Sequence, residues 1–244
     1  MTTVIAGVSG AIGAALARRY LSSYPDRSLI GLCRRPETAP DDLKNHSGVR
    51  LMAWDAEDEQ RLDVAEFKAV LEASGPVDTV IYAAGLLHDD QLFPEKRWED
   101  IDGRSMMQSY QVNCVGFALL IQRLAPALRG KHFKRIAAVS AKVGSISDNQ
   151  LGGWYAYRAS KAAMNMVVKN LSIELSRRYA PLACVSLHPG TTLSPLSQPF
   201  QQSLERLTVH EPEQTASNLF SVLESLDARD NGRFISWDGS DLPW

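Results

Sequence analysis

A glycine-rich turn between a short strand and a helix most constrains how this chain can fold. Thr2–Ala6 is an apolar run typical of a buried strand, Gly7–Gly13 follows at once, and Ala14–Leu21 continues as a helix. In that context glycines let the backbone approach a pyrophosphate, and the helix N-terminus offers free N–H groups. A plain glycine turn is the alternative. The dinucleotide interpretation assigns cofactor contacts to Gly7, Ser9, Gly10, Ala11, Ile12 and Gly13.

Predicted strands and helices alternate along the whole sequence. Strands are expected at 29–33, 49–54, 78–84, 133–139, 182–187 and 232–237, with helices at 62–71, 105–128, 154–179 and 211–226. The alternation predicts a single-domain α/β protein with a Rossmann-type, doubly wound parallel sheet flanked by helices. We expect one domain over residues 1–244, with a cofactor half over about 1–130 and a catalytic and substrate half over about 131–244.

The second and third strands end in residues that suit a nucleotide, because ligands bind at the carboxyl ends of such strands. Arg34 and Arg35 stand where NAD-binding units carry an acid, and guanidinium groups suit a 2′-phosphate, so we predict NADP. If the two arginines only cap a turn, NAD remains possible. Asp55, followed by Ala56, lies where adenine is expected, or caps a helix beginning near Glu59.

Two further strand ends carry small or turn-forming residues. Ala84 and Gly85 close the fourth strand and leave room for a cofactor to lie against the backbone. Pro189 and Gly190 follow the sixth strand. The long helix predicted over 105–128 contains Asn113 and Gly116, which have poor helix propensity. A helix that accepts both indicates a packing or functional reason for each.

The segment Ser140–Lys161 carries the candidate chemistry. Ser140 ends the fifth strand, and Tyr157 and Lys161 are four residues apart on one face of the next helix. A lysine cation at about 4 Å would favour the phenolate by roughly 4 kcal/mol at an effective dielectric of about 20. That is about three pKa units, which predicts a tyrosine able to exchange protons near neutral pH. Packing with a solvated lysine tip is the alternative interpretation.

Composition excludes several classes of function. The 244 residues carry a net charge of −2 and no Lys/Arg run longer than two, so no nucleic-acid partner is expected. Apolar runs fall short of a membrane span and no signal-peptide pattern follows Met1, so we expect a cytoplasmic protein without a membrane partner. The three cysteines lack metal-ligand spacing, and no metal site is predicted.

These motifs together resemble the short-chain dehydrogenase/reductase family over nearly the whole chain. The family's opening motif is Gly-x-x-x-Gly-x-Gly, and in this chain Ala11 occupies the position of its middle glycine, with Gly10 one position earlier. The family's Asn-Asn-Ala-Gly segment corresponds to Tyr82-Ala83-Ala84-Gly85. The remaining matches are Asp55, Asn113, Tyr157, Lys161 and the segment Pro189-Gly190-Thr191-Thr192-Leu193-Ser194. Other stretches, among them the Leu-Pro-Trp terminus, are similar to the family's C-factor-like branch, whose name is linked to intercellular signalling.

The resemblance implies a role for each matched residue. Asn113 would hold a water in a kinked helix and complete a proton relay with Tyr157 and Lys161, and Lys161 would also bind the nicotinamide ribose. Ser194 would touch the nicotinamide amide, and Thr192 joins the cofactor set. The family's Ser-Ser-x-x-Gly reads Ser140-Ala141-Lys142-Val143-Gly144, so Ser140 is chosen as the catalytic serine, with Ser145 or Ser147 as alternatives. The implied catalytic set is Asn113, Ser140, Tyr157 and Lys161.

The resulting functional hypothesis is an NADP-dependent oxidoreductase acting on a small-molecule carbonyl or alcohol. The alternatives are an NADP-binding signalling or sensor protein without essential turnover, and an epimerase or lyase of the same fold. The substrate pocket is expected from 86–104, 145–154 and 194–207, and several apolar side chains there favour an apolar carbonyl compound: Phe93, Trp154, Leu193, Leu196 and Phe200. We expect a homodimer or homotetramer formed through the helices that hold Asn113 and Lys161.

Overall fold

Seven strands form one parallel sheet within the residues that the computed structural model describes, 1–200 and 208–244. They are β1 (Thr2–Ala6), β2 (Ser28–Cys33), β3 (Val49–Ala53), β4 (Val77–Tyr82), β5 (Lys134–Val139), β6 (Leu182–His188) and β9 (Phe234–Ser236). Their order is β3-β2-β1-β4-β5-β6-β9, and every pair runs parallel. The predicted doubly wound sheet is therefore confirmed.

Helices cover both faces of this sheet. They are α1 (Ala11–Ser23), α2 (Asp41–Lys44), α3 (Val64–Ser74), α4 (Gly103–Tyr110), α5 (Gly116–Leu124), α6 (Tyr155–Tyr179) and α7 (Pro212–Ser225). Val4 of β1 points into a cluster with Phe117 and Met164 from the helices α5 and α6. The next residue, Ile5, points into the opposite cluster with Leu16 and Phe220 from α1 and α7. Because successive strand residues face opposite sides, strands apolar throughout need two such layers.

The helix predicted over 105–128 is not one α-helix. Between α4 and α5 the chain forms a π-helical turn, Gln111–Val115, and after α5 it tightens into a 3-10 turn, Ala125–Leu128. The Tyr82 hydroxyl donates to the Val112 carbonyl at 2.5 Å, inside the π-helical turn. A Cβ on Gly116 would lie 2.6 Å from that hydroxyl oxygen. Gly116 is therefore explained by the close approach of Tyr82, which replaces an asparagine of the family motif.

The helical run from α4 to the 3-10 turn is apolar over much of its length and partly buried. Gly103–Leu128 is long and apolar enough to cross a membrane by length and composition alone, in contrast to the expectation from the sequence. In the structure 44% of its most apolar window is buried, and α4 packs against α6. A core helix of an α/β protein passes the same test, so this helix is weak support for a membrane span.

Two smaller features differ from the sequence prediction. Thr191–Thr192 (β7) pairs in parallel with Val209–His210 (β8), and neither short strand was predicted. Asp55 does not cap a helix: its carboxylate accepts from Glu57 N at 3.0 Å, whereas Asp58 and Asp63 cap the two helical segments that follow. The last part of the predicted substrate segment, 201–207, lies outside the described residues.

Candidate active site

Three predicted site residues meet at the carboxyl end of β4. A Cβ built on Gly85 would lie 3.4 Å from Asn113 Oδ1 and 3.6 Å from Lys161 Nζ. Gly85 follows β4, Asn113 lies in the π-helical turn and Lys161 lies in α6, so three distant parts of the chain converge here. The parallel sheet places this point on the same edge as the glycine turn after β1.

Asn113 is fully buried and holds the backbone of the segment after β4. Its Nδ2 donates to the Leu86 carbonyl at 2.8 Å, and its Oδ1 accepts from Leu86 N at 2.8 Å. The same Nδ2 donates to Ser160 Oγ at 2.9 Å. The side chain therefore ties the segment after β4 to α6. Ser160 is a contact that the sequence did not indicate, since nothing in the pattern marks a serine as the partner of an asparagine 47 positions earlier.

Lys161 and Tyr157 lie side by side on α6, as their spacing predicted. Lys161 is 3% exposed, and its Nζ donates to the Val139 carbonyl at 2.9 Å and lies 5.7 Å from the centroid of the Tyr157 ring. Tyr157 is half-buried, and its hydroxyl makes no hydrogen bond to the described residues. Of the pair, only the tyrosine hydroxyl is left without a protein partner.

The electrostatic prediction for this pair is wrong in direction. Burial raises the pKa of Tyr157 above its usual value, and burial lowers the pKa of Lys161 to about 7. The prediction took a full lysine cation at about 4 Å and an effective dielectric of about 20, without a cost for burying either group. In the structure Lys161 is buried and Tyr157 is half-buried, and desolvation penalises the charged form of each. The protein alone therefore holds a protonated phenol beside a lysine that is only partly charged at neutral pH.

None of the three candidate serines is hydrogen-bonded to Tyr157 among the described residues. Ser140 is 2% exposed, and its hydroxyl donates to Asn165 Oδ1 at 2.7 Å. Ser145 Oγ accepts from Asp148 N at 3.1 Å, and Ser147 Oγ donates to the Trp244 carbonyl at 2.6 Å. A hydroxyl has one proton, so Ser140 in this geometry cannot also donate to a substrate oxygen. The catalytic role of Ser140 stays a prediction.

The turn after β1 has the shape that a pyrophosphate requires. Gly7 has φ +86, and a Cβ there would lie 2.6 Å from Ala84 N, so only glycine fits between the ends of β1 and β4. Helix α1 begins after Gly10 without a side-chain cap and without an acidic residue in its first turn. Ser9 and Gly10 are exposed, and Ala11 and Ile12 are half-buried. The free N–H groups and the positive end of the helix dipole are thus available to an anion, and these residues fit a dinucleotide.

A cluster of three arginines stands at the end of β2. Arg34 and Arg35 are both exposed, and neither forms an ion pair within the described residues. Arg61 adds a third guanidinium, since its Nη2 donates to the Arg34 carbonyl at 3.3 Å. The sequence did not point to Arg61, because its contact depends on how the turn after β3 folds back. At the end of β3, the Ala56 carbonyl accepts from Gln111 Nε2 at 2.7 Å, which fixes the loop after Asp55.

The predicted cofactor residues after β6 are packed against other parts of the protein. Gly190 has φ +74 and lies against Trp237 and His210. The Thr192 hydroxyl lies 2.8 Å from that of Thr215 in α7, and Ser194 Oγ is 3.4 Å from the Thr192 carbonyl. The cofactor roles of Pro189, Gly190, Thr192 and Ser194 stay predictions.

Glu95 is a functional candidate that the sequence did not reveal. It is 5% exposed, and its two carboxylate oxygens lie 3.3 and 3.2 Å from Ala156 N, in the first turn of α6. Its carbonyl accepts from Trp154 N at 2.6 Å. Helix α6 has no side-chain cap of its own and no acidic residue in its first turn, and Trp154 before it has φ 52 and ψ 45. The carboxylate of Glu95 therefore takes the place of the missing cap.

One cleft beside α6 lies away from this chemistry. It has a volume of about 250 Å³ and is lined by the loop after β5 and by Tyr155, Ala159 and Ala162 of α6. These residues face about half a turn away from Tyr157. No group of three or more potential metal ligands occurs in residues 1–200 and 208–244. We therefore locate the candidate active site at Tyr157 and not in this cleft.

Comparison with known proteins identifies the family. The family model described as short chain dehydrogenase matches residues 1–205. This chain belongs to the short-chain dehydrogenase family. C-signal of Myxococcus xanthus is 31% identical to this short-chain dehydrogenase over 174 residues, which are 70% of this chain and 95% of that protein. The predicted family is thus confirmed.

Solved structures show the same fold. The carbonyl reductase Sniffer of D. melanogaster has a TM-score of 0.84 and 25% identity, covering 100% of this short-chain dehydrogenase and 99% of that chain. An NADPH-bound carbonyl reductase from chicken fatty liver has a TM-score of 0.86 and 23% identity, covering 100% and 94%. The second likeness shows the fold alone. The chain is an oxidoreductase by family.

Proposed function

We propose that this short-chain dehydrogenase is an NADP-dependent oxidoreductase that transfers a hydride between nicotinamide and a carbonyl or alcohol, with Tyr157 as general acid/base. One observation carries the proposal. Beside Lys161, Tyr157 presents a hydroxyl that has no hydrogen-bond partner among residues 1–200 and 208–244, at the same sheet edge as the glycine turn after β1. The similar structure Sniffer, at 25% identity, is named a carbonyl reductase, which supports a carbonyl substrate.

The residues present divide the work between proton transfer and positioning. NADPH, when bound, supplies the hydride. Tyr157 is protonated at neutral pH, as any tyrosine with a pKa of 10.0 or above is, and in the proposed reaction it donates that proton to a carbonyl oxygen. Lys161, held by the Val139 carbonyl, presents a donor beside the phenol that can stabilise negative charge as it forms. Asn113 fixes the backbone at Leu86, next to Gly85 at the end of β4.

Replacing the phenol hydroxyl tests the proposal. Tyr157→Phe should lower kcat by at least about a hundredfold, the usual contribution of general acid catalysis, while the dissociation constant for NADPH changes little. Tyr155→Phe is the matched control, because Tyr155 lines the cleft on the other side of α6. The turnover rates of both variants are measured from the change in nicotinamide absorbance with a panel of ketones and aldehydes. A Tyr157→Phe enzyme with the wild-type rate would refute the assignment.

The three arginines after β2 support NADP over NAD. A 2′-phosphate at this point would meet guanidinium groups of Arg34, Arg35 and Arg61 that no described acid neutralises. Removing one charged hydrogen bond costs about 1.5–3 kcal/mol, so Arg34→Ala with Arg35→Ala should raise KM for NADPH by more than about tenfold. KM for NADH should change little in the same variant. Wild-type Michaelis constants that favour NADH would contradict the preference.

A second candidate function is an NADP-binding signalling or sensor protein that needs no turnover. The similarity to C-signal favours it, together with a Ser140 hydroxyl already donated to Asn165. It predicts NADPH binding without oxidation on a broad carbonyl panel, and a biological effect that Tyr157→Phe retains. Loss of that effect in Tyr157→Phe would exclude it.

A further inference from the structure

Four aromatic side chains form a group that reaches Tyr157 of the candidate active site through Trp154. We call His88, Phe93, Trp154 and Phe200 the aromatic cluster. The ring centroids of Trp154 and Phe200 are 5.0 Å apart, those of Phe93 and Phe200 are 5.6 Å apart, and His88 lies 5.9 Å from each of the two phenylalanines. These separations are those of tilted and edge-to-face aromatic pairs. Three separate parts of the chain therefore share one aromatic surface.

Trp154 joins the aromatic cluster to the reacting centre. Its ring centroid is 6.2 Å from that of Tyr157, in an edge-to-face arrangement. Trp154 also has φ 52 and ψ 45, the single non-glycine residue with positive φ among those described. Such a conformation costs on the order of 1 kcal/mol and is found mainly where the surroundings require it. Here it directs an indole ring toward the tyrosine that would protonate the substrate.

The cluster is anchored but remains partly open to solvent. His88 Nε2 lies 3.2 Å from the carbonyl oxygens of both Pro195 and Leu196, which ties the segment after β4 to the segment after β7. Phe93 is 57% exposed, and Trp154 and Phe200 are half-buried. The part of the chain that the structure describes thus leaves aromatic faces uncovered next to Tyr157. The four side chains include no carboxylate, ammonium or guanidinium group that would select a charged substrate.

We propose that the aromatic cluster is a substrate subsite that selects carbonyl compounds bearing an aromatic ring. The inference rests on the proposed function and specifies its substrate class. A ring placed against Trp154 and Phe93 would complete the edge-to-face contacts that the cluster already uses. Its carbonyl group, one or two bonds away, would then reach the Tyr157 hydroxyl. A saturated ring of the same size buries similar apolar area but lacks the aromatic contact.

A matched pair of ketones separates these contributions. Phenylacetone and cyclohexylacetone have the same carbon skeleton, and in neither is the carbonyl conjugated with the ring. One or two aromatic contacts predict a kcat/KM for phenylacetone about tenfold above that for cyclohexylacetone with NADPH. Phe93→Leu and Trp154→Leu should each reduce this ratio toward one, mainly through phenylacetone. Trp98→Leu is the control, because Trp98 is 69% exposed in the same segment and has no ring contact within the described residues.

Binding of the two ketones can be compared even in variants that have lost turnover. With NADP⁺ in place of NADPH no reduction occurs, and calorimetry gives dissociation constants for both ketones. Tighter phenylacetone binding in wild type and Trp98→Leu, lost in Phe93→Leu and Trp154→Leu, supports the subsite. Equal binding of the two ketones in wild type, or a preference unchanged by both cluster variants, overturns it. If no carbonyl compound of the panel is reduced but the binding preference is present, the proposed function fails while the aromatic cluster still stands as a binding site for aromatic rings.

Discussion

At the scale of single residues, the position of one proton decides what Ser140 can do. Its hydroxyl donates to Asn165 Oδ1 inside the packing between β5 and α6, whereas the resemblance to the family assigned it to the substrate oxygen. A motif can mark a serine at a strand end, but not the rotamer or the partner of its hydroxyl. Those depend on Asn165, which is 25 positions away and belongs to no motif.

Ser140→Ala distinguishes the two roles. The substitution leaves a buried Asn165 amide oxygen without a donor, which should lower the free energy of unfolding by about 1–3 kcal/mol. The loss of kcat should be smaller than that of Tyr157→Phe. Chemical denaturation and steady-state kinetics measure the two effects. A loss of kcat equal to that of Tyr157→Phe, with unchanged stability, would instead assign Ser140 to the substrate oxygen.

Lys161 shows why the sequence could not predict the charge state of the site. Spacing along a helix indicates which side chains are neighbours, but the pKa depends on how much water the whole fold removes. Burial lowers the pKa of Lys161 from 10.5 to about 7. The unfolded chain then binds the lysine proton over a pH range where the folded protein does not. The resulting destabilisation is complete below about pH 7 and disappears as the pH rises to about 10.5.

Lys161→Met should therefore change the pH dependence of stability in the absence of cofactor. Between pH 7.5 and 9.5 the wild-type free energy of unfolding should rise relative to the variant by up to about 1.4 kcal/mol for each pH unit. The lost hydrogen bond to Val139 shifts the variant by a constant and leaves this slope unaffected. Urea denaturation of both proteins between pH 7.5 and 9.5 measures the pH dependence of the free energy of unfolding. Parallel pH profiles for the two proteins would show that Lys161 stays charged in the folded state.

At the scale of elements, the start of α6 depends on a residue 61 positions earlier. Sequence spacing located the helix and its Tyr157–Lys161 face, because both follow from local periodicity. It could not find the Glu95 cap, since a carboxylate that approaches a helix N-terminus through tertiary structure has no local pattern. The resemblance to the family implied a kinked helix at Asn113, but the sequence did not give its π-helical form, because the Tyr82 hydroxyl that binds Val112 comes from a strand far away in sequence.

Glu95→Ala should reduce turnover more than cofactor binding. Loss of the cap should cost about 1–2 kcal/mol of stability and loosen the first turn of α6, which contains Tyr157. We expect kcat to fall by about tenfold while KM for NADPH stays near the wild-type value. Glu95→Gln keeps an acceptor for Ala156 N and should recover part of the rate.

Glu99→Gln is the matched control, because Glu99 is exposed in the same segment. Hydrogen exchange of the backbone amides at the start of α6 shows directly how often the first turn of this helix opens. A Glu95→Ala enzyme with unchanged kcat and unchanged exchange there would show that Glu95 only fills space.

At the scale of the whole molecule, the alternation of strands and helices was enough to predict the fold. Every strand expected from the sequence is present in one parallel sheet, and its carboxyl edge carries the predicted cofactor and catalytic positions. The additional strands β7 and β8 are two residues each, too short to leave a periodic pattern. Subunit contacts are harder to infer, because an exposed apolar side chain looks the same in sequence as a buried one.

The helices α4 and α6 support the proposal of a homodimer or homotetramer. Met107 of α4 is 67% exposed, and Met166 and Ile173 of α6 are 62% and 45% exposed, on two helices that pack together. Light scattering should give the mass of two or four chains for the wild type. Met107→Lys with Met166→Lys should give a monomer, because two charges would enter an apolar contact.

Val64→Lys serves as the control, since Val64 is 48% exposed at the start of α3. It should retain the wild-type mass. A monomeric wild type would contradict the proposal.

The π-helical turn Gln111–Val115, which is wider than an α-helical turn, also limits which insertions and deletions the chain can accept during evolution. A π-helical turn holds one residue more than an α-helical turn, so deleting a residue there would restore regular winding. That repair would leave the orientation of α4 relative to α5 nearly unchanged, but it would remove the wide turn that holds Asn113 against the backbone of Leu86. Insertions and deletions should therefore accumulate in the surface loops at either end of this helical run and be absent from its interior.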